Sequence, residues 1–237
     1  LGGGTGSGSA RVVAKLSKVC GALTLGIITT PFSGEGTHRM ETAKEWIETL
    51  RRYCDTTVVI PNDKLLELAP RLPLTAAFKL ADEILMTAIK GITEIITKPA
   101  IVNLDFADLK SVMKDGGVAL IGLGESENTT DRINEAVTQA LNSPLLGEID
   151  ISTAHGAMVR VDGGPSMTVS EAEKGVRLIS SKISKDAKII WGCNVDPTME
   201  NNIKVLLILT GVRSPTLLGK KGGFASGESA ESIDFIR

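Results

Sequence analysis

The sequence has no CxxC pair and no histidine cluster. Its three cysteines, Cys20, Cys54 and Cys193, stand alone, and His38 and His155 lie far apart. That excludes a zinc site or a disulfide framework and leaves reduced, packing cysteines, the usage of a cytosolic protein. Neither histidine is placed to serve a serine or cysteine nucleophile, so no hydrolytic triad is expected. The longest apolar runs, such as Val205-Leu206-Leu207-Ile208-Leu209, fall far short of the ~20 residues of a membrane span. With a formal net charge of -2, there is no basic stripe for nucleic acid and no acidic block for a solvating tail. The chain opens on glycines rather than on a basic segment and an apolar stretch, so no secretory signal is expected. It also opens without a methionine, and only Leu1 precedes a glycine loop of the kind a β-strand normally delivers. A preceding N-terminal piece is therefore expected.

What is present is enough for one large or two small cores: 237 residues with 42% hydrophobic content. Ser9 to Cys20 reads as a helix, with Val12, Val13, Leu16 and Val19 on one face and Gly21 as its stop. Strands are expected at Leu23–Thr29 and Thr56–Ile60, with a helix from Met40 to Arg52 between them. Pro61-Asn62-Asp63 is expected to end the second strand. Strands alternating with helices argue for a parallel α/β sheet. From Leu74 to Thr97, apolar residues recur at i+3 and i+4, which predicts one helix of about 36 Å that stops before Pro99. Further strands are expected near 118–122, 156–161, 188–193 and 204–210, and helices near 130–141 and 170–184. Thr168-Val169-Ser170-Glu171 has the pattern of a capping box. Beyond Arg213 the composition turns to Gly, Ser and Lys, which reads as a flexible tail.

Three constellations carry chemistry. Gly2-Gly3-Gly4-Thr5-Gly6-Ser7-Gly8 can cradle phosphates on backbone N–H groups at a helix N-terminus, although a glycine-rich start can equally be a linker. It fails the dinucleotide fingerprint G-x-G-x-x-G, which argues against a nicotinamide-dependent oxidoreductase, and it fails Walker A because no Gly-Lys-Ser/Thr follows. Phe78 and Asp82, one turn apart, could stack on a purine and accept from guanine N–H groups, or be a core residue and a solvated charge. Asn103-Leu104-Asp105-Phe106-Ala107-Asp108 sets two carboxylates at a helix start. There they could orient a water, hold a cation, or simply answer the helix dipole.

Gly2 to Gly8 also fits the tubulin-superfamily signature GGGTG[ST]G. Pro31-Phe32-x-x-Glu35-Gly36-x-x-Arg39-Met40, Val59-Ile60-Pro61-Asn62-Asp63, Ala77-Phe78-x-x-Ala81-Asp82, Asn103–Asp108 and Asn142-Ser143-Pro144-Leu145-Leu146 resemble FtsZ, in FtsZ order, over about residues 1–212. Lys79–Leu85 and Ile190-Trp191-Gly192 look archaeal. The resemblance implies a Rossmann-like parallel-sheet GTPase domain, incomplete here (1–73). A long central helix (74–98) would join it to a smaller α+β domain (99–212), followed by a tail (213–237). Gly3, Gly4, Thr5 and Gly6 would cradle the phosphates of GTP or GDP, with Mg2+ accompanying the nucleotide. Glu35 would contact the ribose, with Arg39 beside the ribose and phosphates. Asn62, Phe78 and Asp82 would hold the guanine. Asn103, Asp105 and Asp108 would form a catalytic loop serving the next subunit of a head-to-tail filament. The implied protein is a cytoplasmic GTPase of the midcell division ring. A non-hydrolysing scaffold paralogue and an archaeal cell-shape tubulin relative are the alternatives, and Asp105 and Asp108 speak against the first. His38 departs from the basic residue common at its position and reads as a surface or partner-contact residue. Ile233-Asp234-Phe235-Ile236-Arg237 resembles a docking peptide for a membrane-tethering partner.

Overall fold

The structure, a computed structural model, describes residues 1–68, 73–98, 102, 104–128, 130–147 and 149–212. The tail, Ile233–Arg237 and Asn103 lie outside the described residues. Six strands form one sheet in the order β1-β2-β3-β6-β4-β5: β1 Leu25–Thr30, β2 Thr56–Pro61, β3 Gly117–Ser126, β4 Gly156–Gly163, β5 Lys188–Val195 and β6 Ile203–Thr210. β1, β2 and β3 run parallel, as do β4 and β5. β6 runs antiparallel to β3 and β4, which makes the second part of the sheet mixed. The helices are α1 Gly4–Val19, α2 Thr37–Arg51, α3 Asn62–Leu68, α4 Leu74–Thr97, α5 Phe106–Met113, α6 Arg132–Leu141 and α7 Val169–Ser180.

Two packing layers flank the sheet. On one face α6 and α7 lie over the strands through Ile133, Ala136, Val137, Ala140, Ala172 and Ile179. The α6 backbone comes so close that a Cβ on Gly124 would stand 1.9 Å from the Ala136 carbonyl oxygen. On the other face α4 presents Ala81, Ile84, Ala88, Ile92 and Ile95, a stripe at spacings of three and four that faces one side. Its bounds are those the periodicity predicts. A third, smaller cluster joins α1 and α2 to the sheet around Ile28, Ile47, Leu50 and Val59.

Three expectations need correction. α1 starts at Gly4, five residues before Ser9, because buried Ser7 accepts from the Gly2 N–H at 3.1 Å and folds the glycine segment into the first turn. Gly2 itself has φ +98°, and a Cβ there would lie 2.7 Å from the Arg39 carbonyl oxygen, so only glycine fits. Asn62 does not merely end β2: α3 begins on it. The Thr168 box is half formed. The Thr168 hydroxyl accepts from the Glu171 N–H at 3.2 Å, but the Glu171 carboxylate turns away to Arg132. In Val12, Val13, Leu16 and Val19 the expected apolar face of α1 is real, yet all four are exposed.

Candidate functional site

Ligands of open parallel sheets sit beyond the carboxyl ends of the strands. At that end of β1 and β2 lies a cleft of about 200 Å³, lined by Leu1, Thr29, Thr30, Pro31, Glu35, Asn62, Phe78, Ala81, Asp82 and Leu85. The end of β1 supplies Thr29 and Thr30, the start of α3 supplies Asn62, and the first turns of α4 supply Phe78 and Asp82. Phe78 is held upright by Phe32, edge to face at a centroid distance of 5.2 Å and 84°. Phe32 is buried while Phe78 keeps 42% of its surface exposed and lines the cleft. Loop 31–36 is tied down from two sides. Asp63 accepts from the Ser33 N–H at 2.8 Å and its hydroxyl at 2.5 Å. Glu35 accepts from the Phe32 N–H at 2.9 Å and pairs with Arg39 at 2.6 Å.

Two features, one in the cleft and one beside it, ask for a polar ligand. Asn62 is buried, yet its Oδ1 has no hydrogen-bond partner among the described residues. A buried polar atom left alone costs about 1–3 kcal/mol, so a partner is expected there. The N-terminus of α1 carries no side-chain cap and no acidic residue in its first turn. The N–H groups of Gly4, Thr5 and Gly6 thus have no acceptor within the helix. Around Gly3, Gly4 and Gly6 even an added Cβ would meet nothing within 4 Å. An open, uncapped helix end beside a buried acceptor and an aromatic face fits a purine nucleotide with an anionic tail. Gly3, Gly4, Thr5 and Gly6 do not line the cleft itself; they leave it through Leu1 and Gly2. Arg39 stands one turn further on α2, exposed and paired with Glu35. His38 is exposed in the first turn of α2.

The structure does not bring Asp105 and Asp108 to this cleft. α4 starts over the β1 edge, where Ala81 and Asp82 line the cleft together with Thr29 and Thr30. It then crosses the sheet, with Gly91 over Leu206 of β6 and Ile95 over Gly192 of β5. Val102 bridges Cys193 of β5, and α5 follows, packed on β5 and β4. The cleft, at the β1 side, and the carboxylates, on the helix that packs on β5 and β4, thus lie toward opposite edges of a six-stranded sheet about 24 Å wide. Asp105 is the N-cap of α5 and Asp108 its third residue. Asp105 accepts from the Asp108 N–H at 2.7 Å, and Asp108 accepts from the Asp105 N–H at 3.4 Å. Both are exposed, and Phe106 between them is 52% exposed. A closed capping box leaves spare acceptor lone pairs on both carboxylates directed outward.

Sequence reasoning missed Phe32 as the prop of Phe78 and Asp63 as the tie of Ser33. Both stood inside motifs it quoted, but their contacts span 46 and 30 residues and no periodicity marks them.

Residues 1–70 match the family model described as Tubulin/FtsZ family, GTPase domain, and residues 117–213 match FtsZ family, C-terminal domain. The chain is 53% identical over its whole length to a protein named Cell division protein FtsZ 1 from Archaeoglobus fulgidus, and spans 63% of that protein. It superposes on an empty FtsZ dimer structure of M. jannaschii with a TM-score of 0.88 at 48% identity, covering 97% of this chain and 68% of that one. CetZ1 from Haloferax volcanii, a GDP-bound monomer, gives a TM-score of 0.71 at 23% identity over 92% of this chain and 64% of its own, a likeness of fold alone. Family models, relatives and fold agree: the chain belongs to the FtsZ family of tubulin-like proteins.

Proposed function

We propose that this chain is the larger part of a GTP-hydrolysing filament protein whose active site is shared between neighbouring subunits. One observation carries this reading: the ligand-hungry cleft and the paired carboxylates lie at opposite edges of one sheet, joined by α4. A subunit so built cannot bring its own carboxylates to its own nucleotide. A head-to-tail contact that does not close brings the carboxylates of one copy to the cleft of the next and generates filaments.

Within the cleft, Phe78 stacks on the guanine, Asp82 accepts from its N1–H and N2–H2, and Asn62 completes the base's hydrogen bonding. Glu35 and Arg39 stand toward the ribose. The uncapped turn of Gly3, Gly4, Thr5 and Gly6 receives the phosphates. Mg2+, bound together with the nucleotide, would supply neutralisation of the phosphates' charge. Mg2+ is commonly held by substrate phosphates and waters rather than by a protein cage, and the described residues hold no cluster that would form one. From the neighbouring subunit, Asp105 and Asp108, with Asn103, orient the attacking water by hydrogen bonds. Such positioning and charge stabilisation are most of what phosphoryl transfer requires of a protein.

The division-ring role rests on relatives 48–53% identical that are named FtsZ, against 23% for the CetZ1 likeness. The whole protein would act in the cytoplasm at midcell, with the tail docking a membrane-tethering partner. Among the described residues no helix is long and apolar enough to cross a membrane. Because the chain spans only part of its relatives, the isolated 237 residues would bind GTP weakly and not turn it over. Turnover by the complete protein as a function of its concentration tests the shared site. A threshold followed by a steep rise is expected, and turnover strictly proportional to concentration at every dilution would overturn it.

A further inference from the structure

The crossing of α4 over the sheet is built unlike the rest of that interface. On β4 the pleat sets Arg160 and Asp162 on the side of Met158, facing α4, while Val159 and Val161 turn to the opposite core. Arg160 is buried, and its guanidinium makes hydrogen bonds on all three of its nitrogens. Nε meets Asp162 at 2.7 Å, one terminal nitrogen donates to Glu94 at 2.9 Å, and the other reaches the carbonyls of Gly91 and Lys90 at 3.3 and 3.4 Å. Glu94 is bound a second time by Lys98 at 2.6 Å. Glycines stand on both sides of the crossing. Gly91 is the only glycine of α4, and a Cβ there would lie 2.0 Å from Leu206 Cδ2. A Cβ on Gly192 would lie 2.9 Å from Ile95 Cγ1.

Burying a charge cluster is a poor way to gain stability, since a well-packed apolar side chain of the same volume would serve as well. What the guanidinium adds is direction. Its planar fork fits Glu94 and two helix carbonyls only when α4 has one rotation and one axial setting. α4 carries Phe78 and Asp82 at one end and leads to the Asp105–Asp108 turn at the other. Arg160 touches neither end: Glu94 lies about 18 Å along the helix from Asp82.

We propose that Arg160 is a positioning residue that fixes α4 on the sheet and thereby sets the nucleotide end of the subunit relative to its carboxylate end. The proposal deepens the shared-site reading and rests on it.

The test uses the complete protein with Arg160→Met, Arg160→Lys and Glu94→Gln. Without nucleotide, amide hydrogen exchange over residues 86–98 should quicken about tenfold in Arg160→Met and Glu94→Gln, with α6 and α7 unchanged. With GTP, affinity in the unassembled protein should stay within about twofold while turnover per assembled subunit falls about tenfold or more, since small misplacements of reacting groups are that costly. Arg160→Lys, which restores charge without the fork, should recover only part of the turnover. Unchanged exchange over 86–98 together with normal turnover in Arg160→Met would overturn the proposal. So would lower thermal stability with turnover per folded molecule preserved. If Arg160→Met does not fold, Glu94→Gln, which keeps the side-chain shape, decides by the same two readouts. If the unaltered protein shows no turnover, the shared-site reading fails instead, and the exchange over 86–98 then decides whether Arg160 holds α4.

Discussion

The two ends of α4 treat polar groups in opposite ways. At the cleft, Asn62 Oδ1 is buried without a partner among the described residues, and beside it the first turn of α1 is uncapped. At the α5 end, Asp105 and Asp108 satisfy each other's backbone N–H groups in a closed box. One end has unmet hydrogen-bonding capacity inside the subunit, and the other has met its own and turns its remaining lone pairs outward. The first is the mark of a ligand site. The second is a folded helix start whose exposed carboxylates remain able to accept from a group outside the subunit.

Charge and cap can be separated at Asp105, and there the largest effect is expected. Asparagine caps a helix about as well as aspartate. The pair Asp105→Asn and Asp108→Asn should therefore fold with stability within about 0.5 kcal/mol of the unaltered protein. Steady-state GTP turnover should nonetheless fall by about a hundredfold or more. Asp105→Ala should add a loss of about 1 kcal/mol, readable by urea unfolding, because the cap itself goes. The opposite pattern belongs to Asp82. It is exposed and its removal should leave stability within about 0.5 kcal/mol. Hydrogen bonds to a charged acceptor are worth about 1.5–3 kcal/mol, so Asp82→Ala should weaken GTP binding by about 10–100-fold in calorimetry.

Asn62 sharpens the contrast further. Replacing its orphaned amide by leucine should stabilise the nucleotide-free protein by about 1 kcal/mol while weakening GTP binding about tenfold. A variant that loses stability without nucleotide would mean that Asn62 has a partner inside the fold.

Away from both ends, the smallest effect is a pH dependence at Arg132. This buried guanidinium holds Glu171 at 2.8 and 3.0 Å, also donates to Ser166 and the Asn201 carbonyl, and depresses the Glu171 carboxyl below its ordinary value, chiefly through that hydrogen bond. A depressed carboxyl contributes stability above its unfolded pKa of about 4.3 and loses it as pH falls through the lower folded value. The gap in urea midpoint between the unaltered protein and Glu171→Gln should be open at pH 7 and close as pH drops below about 4.

Much of this was legible in the sequence because it is local. The stripe Ala81, Ile84, Ala88, Ile92, Ile95 set α4 between Leu74 and Thr97, with Pro99 beyond. The candidate site residues stood in short motifs, and the two carboxylates announced a helix start. What was not legible is non-local or counter to propensity. Glycines read as loop, so the start of α1 at Gly4 was hidden. Pro61-Asn62-Asp63 read as a stop, so α3 was hidden. Glu171 read as half of a capping box, yet Arg132, 39 residues earlier, takes its carboxylate. The orphaned Asn62 atom, the propping of Phe78 by Phe32, and the placement of cleft and carboxylates at opposite sheet edges all arise only when distant strands meet. Asn103, between α4 and α5, lies outside the described residues, and its part in the loop stays with the resemblance.

The central claim is that one subunit's cleft is served by another subunit's carboxylates. Mixing tests it most directly. At a GTP concentration well below the Kd of the Asp82→Ala variant, the complete protein carrying Asp82→Ala and the complete protein carrying Asp105→Asn and Asp108→Asn should each be nearly inactive alone. Combined in equal amounts, random head-to-tail assembly pairs an intact cleft with an intact carboxylate turn at about one interface in four, so GTP turnover should recover to about that fraction. A mixture no more active than its components, while still assembling, would contradict the shared site.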